Sequence, residues 1–136
     1  MLLSGPKQIS LGLLVLRLSL GGMMLVHGIP KLLNFSKMAG QFPDPLGMGS
    51  QLSLISAIGA EVGCSVLLIV GLLTRLAALP LAFTMGVALF VVHGDDPWGK
   101  KELAAIYLAG YLVVLLAGPG RYSLDAMLLS KGKKKG

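Results

Sequence analysis

The chain lacks much of what stabilises small secreted domains and keeps cytosolic ones dissolved. It has one cysteine, Cys64, so no internal disulfide can form and cysteine pairing says nothing about compartment. Inside an apolar run, a lone cysteine reads as a small buried side chain. Charged residues make up only 13%, against roughly 25% in soluble domains. Six acidic residues and two histidines leave few groups for acid–base or metal chemistry. No haem, phosphate-loop, nucleotide or nucleophile signature is present, and Gly118-Pro119-Gly120-Arg121 reads as a helix stop. His27, His93 and Glu102 match no metal-ligand spacing, so no metal site is expected. The formal charge of +6 is not arranged for nucleic acid. Lys131, Lys133, Lys134 and Lys135 crowd the end of the chain, where a basic cluster beside a membrane segment suits anionic lipid headgroups.

What the chain does have is apolar length. Four runs, Ile9–Val26, Leu52–Leu73, Leu76–Val92 and Leu103–Ala117, fill most of its 136 residues. A spanning helix needs about 20 mostly apolar residues. Hydrophobic residues reach 54% and mean hydropathy is +0.80. The expected fold is all-α: an integral membrane four-helix bundle with short interfacial helices and spans near 9–27, 52–73, 76–93 and 102–117. Residues 1–130 form a single transmembrane domain, followed by a basic tail, 131–136, expected to be disordered. Lys7 precedes an apolar run too long for a signal core and without a small-x-small cleavage site, so the run reads as the first span.

Proline and glycine punctuate the rest. Pro30 is expected to end the first helix near Gly28, and Pro80 to sit near the start of the third. Leu32, Leu33, Phe35 and Met38 suggest a short interfacial helix before Pro43. Thr74-Arg75 is so short a connection that the second and third helices must be antiparallel neighbours. Trp98 suits the headgroup belt, and Ser123 is a candidate cap for a short helix over 122–129. Lysine and arginine counts set the orientation. The side of the termini holds Lys7, Arg75, Arg121 and the four tail lysines; the other side holds Lys31, Lys37, Lys100 and Lys101. Both termini are therefore expected in the cytoplasm, with the loops at 30–51 and 93–101 outside.

Ionisable residues in spans are the functional suspects, because polar groups are costly in hydrocarbon. Arg17 and Glu61 lie at similar depth counted from the outer ends of their helices, so a buried ion pair Arg17–Glu61 is expected, either architectural or part of a ligand or proton path. His27, Lys31, His93 and Glu102 lie at the outer ends of their helices and form a candidate ligand-binding site. Met24, Gly28, Gly86 and Phe90 would offer an apolar slot beneath them.

Arg17, His27-Gly28 followed by Lys31, Glu61, Gly71-Leu72-Leu73-Thr74-Arg75, Glu102 and Gly118-Pro119-Gly120-Arg121-Tyr122-Ser123-Leu124-Asp125 together resemble the DoxX family over nearly the whole chain. The resemblance implies a multi-pass bacterial inner-membrane protein. Some members are described as membrane subunits of thiosulfate:quinone oxidoreductase, and others are linked to redox homeostasis. It therefore implies a redox-associated subunit that binds a quinone or similar lipophilic molecule and takes electrons from a partner protein, with no catalytic motif of its own. The alternative is a non-enzymatic small-molecule carrier or scaffold. The partners expected besides the lipid bilayer are a redox partner protein or further copies of the chain.

Overall fold

The computed structural model describes the backbone of residues 5–135 and the side chains of residues 5–129. Four long helices form a bundle: α1 (Pro6–Leu33), α3 (Ser50–Val70), α4 (Thr74–Val92) and α5 (Trp98–Ala117). A single turn, α2 (Phe35–Met38), follows α1, and α6 (Leu124–Lys135) follows α5. No strand occurs among the described residues. Helices α1, α3 and α4 are each long and apolar enough to cross a membrane. Helix α5 is as long as a span but opens on Lys100, Lys101 and Glu102.

The core is built from small and flexible side chains. Ala60, Ala78, Ala82 and Ala104 let the helices approach, and Leu20, Met24, Leu68, Leu81, Met85 and Val114 fill the space between them. Large apolar residues such as Val15, Val26, Leu79, Phe83, Phe90 and Leu116 point outward, as lipid-facing surfaces require. The contact between α4 and α5 is the most extensive in the bundle.

Several boundaries differ from the expected ones. Helix α1 runs through Pro30 to Leu33. A proline interior to a helix removes one donor but keeps a helical φ. Here the following turn is secured by Asn34, whose backbone and side-chain nitrogens both donate to Pro30 O, at 3.0 and 2.8 Å. Pro80 lies in the second turn of α4, not the first. Helix α5 begins at Trp98, ahead of Glu102. Helix α6 extends to Lys135, so the lysine cluster continues a helix. The cluster's side chains, and the headgroup contact expected of them, lie outside the described residues.

The Arg17–Glu61 pair is not formed. Arg17 donates to the carbonyls of Leu68 (3.2 Å), Ile69 (3.3 Å) and Tyr122, while Glu61 pairs with Lys31. Matching depths were a poor guide because helical side chains lean toward their own N-terminus. Helices α1 and α3 are antiparallel, so Arg17 leans toward the end that holds the termini and Glu61 toward the end that holds the loops. Lys31, about 21 Å further along α1 at 1.5 Å per residue, leans back onto Glu61. Gly28 permits this, because a Cβ there would lie 2.9 Å from the Glu61 Cβ and the Val62 Cγ2.

Arg17 instead closes the terminal end. The last carbonyls of a helix lack intrahelical partners, and the helix dipole favours a cation there. Gly71, at φ +75°, turns the chain out of α3, and a Cβ there would collide with Arg17 and Ser123. Leu73 follows in a left-handed conformation at φ 50°. The Asp125 carboxylate accepts from the amides of Leu73 (2.8 Å) and Thr74 (2.9 Å), capping α4 from a distance. Ser123 accepts from Ala126 N–H at 3.1 Å, the cap expected for α6. Arg75 donates to Leu115 O and Leu116 O, the last turn of α5. Burial raises the Asp125 pKa, but the Thr74 and Leu73 amides and the charge of Arg17 outweigh it and hold the carboxyl below its usual range.

In double-mutant cycles measured by unfolding in detergent, Lys31→Met and Glu61→Gln should couple strongly. Removing one partner costs about 3 kcal/mol, near the low end for buried pairs because Lys31 is a quarter exposed. Arg17→Met and Glu61→Gln should add to within about 0.5 kcal/mol; coupling above 1 kcal/mol would restore the pairing that the structure rejects. Asp125 has a depressed folded pKa, so its contribution is complete above the unfolded value of about 3.9 and is lost as pH falls through the folded value. Asp125→Asn should lower stability at neutral pH by about 1 kcal/mol and flatten the acid limb of a stability–pH curve. An unchanged acid limb would show that another carboxylate sets it.

Candidate functional site

At the loop end two cavities flank one ion pair. Lys31 Nζ lies 2.6 and 2.8 Å from the two Glu61 oxygens, with the Glu61 side chain 3% exposed. Glu61 sits in a π-helical segment, Gly59–Cys64, of α3. Such bulges shift side-chain register by widening one turn and recur at functional sites. A second π segment, Ala88–Val92, ends α4 on the same side.

The first cavity, about 250 Å³, lies between α3 and α4 beneath the loop at residues 39–49. Its walls are mostly apolar: Phe42, Leu46 and Met48 above, Ala57 on α3, Phe83 and Val87 on α4. Polar contributions come from Lys31, Glu61, Ser53, Ser56 and Thr84. The Thr84 hydroxyl already donates to Pro80 O at 2.7 Å. The Phe42 ring centroid lies 5.7 Å from Lys31 Nζ, a cation–π contact.

The second cavity, about 160 Å³, lies between α1, α4 and α5 and is richer in polar groups: His27, Lys31, Glu61, His93, Lys100 and Tyr107. Lys31, Glu61, Met85 and Ala88 line both cavities and form the wall between them. His27 meets Tyr107 edge-on at 6.0 Å, and Tyr107 stacks on Tyr111, also at 6.0 Å. The row thus leads from the polar cavity into the core. Tyr111 is fully buried, and its hydroxyl has no partner among the described residues.

His93 Nδ1 lies 2.8 Å from Asp96 Oδ2. That hydrogen bond, then the charges of Lys100 and Lys101, hold the Asp96 carboxyl below its usual range against a smaller desolvation effect. An ionised carboxylate only accepts, so Nδ1 carries the proton and Nε2 is left for the cavity. Lys101 donates to Gly94 O at 2.8 Å, fixing the same turn to α5. On the opposite loop Asp44 accepts from Met48 N–H, Gly49 N–H and the Ser53 hydroxyl at 2.8–3.0 Å. The Gly49 amide leads the bonds that lower its pKa.

Three of the four residues singled out in the sequence therefore meet: His27, Lys31 and His93 line one cavity. Glu102 does not; it is exposed and lines neither cavity. Glu61 takes the carboxylate position in its place. The apolar slot also lies elsewhere. Phe90 is 72% exposed, Gly28 is closed against α3, and a Cβ at Gly86 would meet nothing. The tyrosines were missed, although Tyr107 and Tyr111 at i, i+4 share a helix face, a spacing visible in the sequence. No group of histidine, cysteine and carboxylate side chains that could hold a metal ion occurs among the described residues.

Comparison with known proteins agrees with this architecture. The "Putative oxidoreductase CatD" of Bacillus subtilis is 32% identical over 133 residues, covering 96% of both chains. An uncharacterized membrane protein of Mycobacterium tuberculosis, Rv3486, is 30% identical over 91% of this chain and 83% of its own. The Escherichia coli inner membrane protein YphA is 29% identical over 83% and 87%. No solved structure matches significantly. The DoxX family model matches residues 12–94, which hold Arg17, the Lys31–Glu61 pair and both π segments, and the chain belongs to the DoxX family of membrane proteins.

Proposed function

We propose that the protein is a redox-associated subunit of the bacterial inner membrane whose loop-end site binds a lipophilic ring of the quinone class. The observation that carries this reading is the shared wall: an apolar cavity and a histidine-lined one meet at a single ion pair. Pockets for lipophilic ligands are mostly apolar with a few placed polar groups. A quinone carbonyl needs a donor, which Lys31, His27 and Tyr107 can supply. A bound quinone would supply the electron-accepting ring. The chain's part is to orient it, exclude water and deliver protons, and an imidazole, which can both donate and accept a proton, suits the last task. The electrons would come from a partner protein. The oxidoreductase name of the B. subtilis relative points the same way. The excess of lysine and arginine beside the termini supports an orientation with both termini in the cytoplasm and the site on the outer face.

A short-tailed quinone analogue titrated into the purified protein should bind saturably. His27→Ala and Tyr107→Phe should each weaken it about tenfold, the loss of one hydrogen bond of roughly 1.4 kcal/mol. Glu102→Ala should leave affinity unchanged. Failure of the wild type to bind while folded would favour the carrier or scaffold reading, for which transport into proteoliposomes without redox change is the test. Reporter fusions after Lys37 and after Lys135 should give opposite compartment signals; the same signal from both would remove the four-span topology.

A further inference from the structure

The ligand's route and head group can be read from the larger cavity, granting the quinone-class reading of the site. We infer that the α3–α4 seam is a lateral portal to the hydrocarbon, and that the Lys31–Glu61 pair selects lipophiles with an uncharged, hydrogen-bond-accepting head group over charged amphiphiles.

Three observations support the portal. The cavity is bounded on its bilayer side by Ser56 of α3 and Phe83 of α4, both exposed, Phe83 by 62%. On a spanning helix that exposed surface faces lipid. The roof, by contrast, is tied down. Asp44 holds Met48, Gly49 and Ser53 together, and Phe42 rests on Lys31. Residues of α5 line only the other cavity, so the larger one does not continue into the bundle's polar side except through Met85, Ala88 and the ion pair.

The selectivity follows from the pair's balance. Both Glu61 oxygens are engaged by one ammonium. An ammonium has three donors, so one remains for a neutral acceptor without disturbing the pair. An anionic head would compete for Lys31 and strand a carboxylate that is 3% exposed. A cationic head would take Glu61 and strand Lys31. Stranding either charge is costly, more so for Glu61 than for the quarter-exposed Lys31, so fatty acids and alkylammonium ions are rejected although their tails would fit.

The test is photolabelling in zwitterionic nanodiscs with a decyl-tailed azidobenzoquinone, followed by peptide mapping. The expected label falls on residues 53–57 and 83–88, along the route to the ion pair, in addition to any on the peptides that hold His27 and Tyr107. Unlabelled decylbenzoquinone should suppress it at least tenfold, while laurate and dodecyltrimethylammonium at the same membrane mole fraction should leave it. Ser56→Trp, at an exposed position where folding is not at stake, should plug the seam and cut labelling at least tenfold. Glu61→Gln should let laurate compete by leaving Lys31 unpaired. The wild-type competition tests selectivity even if that variant fails to fold. Label confined to peptides holding His27, His93 or Tyr107 and indifferent to Ser56→Trp would overturn the portal and leave the quinone-class reading standing. Laurate competing equally in wild type would overturn the head-group rule. No saturable label on folded wild type would overturn both inferences and the reading beneath them.

Discussion

A carboxylate placed inside a membrane helix must be neutralised by something within reach, and the loop end of this bundle depends on how Glu61 meets that demand. Its partner is Lys31, at the last turn of the antiparallel neighbour. The contact requires α1 to continue past Pro30, which it does, and to approach α3 closely, which Gly28 allows. It also requires both side chains to lean toward each other, which follows from their opposite chain directions. Once the pair is formed, it divides the space beneath the loops into an apolar and a polar cavity. The site is a consequence of that division.

Arg17 poses the same problem at the other end and receives a different answer. No carboxylate side chain among the described residues is hydrogen-bonded to it; its partners are carbonyl oxygens at the end of α3 and at Tyr122. A helix end in a membrane protein has unsatisfied carbonyls that water does not reach, and a buried guanidinium has donors to match. Asp125 then binds the amides at the start of α4, and Arg75 the carbonyls at the end of α5. The glycine-rich segments around Gly71 and Gly118 are thus parts of one interlocking cap. The loop end, with its two cavities, is where the bundle leaves space for a ligand.

The division of labour separates residues at the two ends of the bundle into two groups. Arg17, Gly71, Arg75, Ser123 and Asp125 act on helix ends and read as architecture. His27, Lys31, Glu61 and Tyr107 line the polar cavity instead. Arg17 and Glu61 looked equivalent as lone charges in apolar runs, yet they belong to opposite groups.

The sequence by itself determined the class of the protein: long apolar runs with little charge admit no stable form but a helical bundle in lipid, since backbone polar groups there must be satisfied within the helix. It also marked Arg17 and Glu61 as charges that the fold must accommodate, because an ionisable group in a span is expensive wherever it sits. The Ser123 cap, the short turn after α3 and the meeting of His27, Lys31 and His93 were legible for similar local reasons. Only the tertiary structure decided the pairing. Depth counted along a helix is a scalar, whereas contact depends on which face a residue occupies, which way its side chain leans and where the helix ends. Those quantities matched Lys31 to Glu61, sent Arg17 to the carbonyls, left Glu102 outside and brought in the tyrosines of α5. They also opened the cavity between α3 and α4 rather than beneath the histidines, because a roof formed by residues 39–49 has no periodic signature in the sequence.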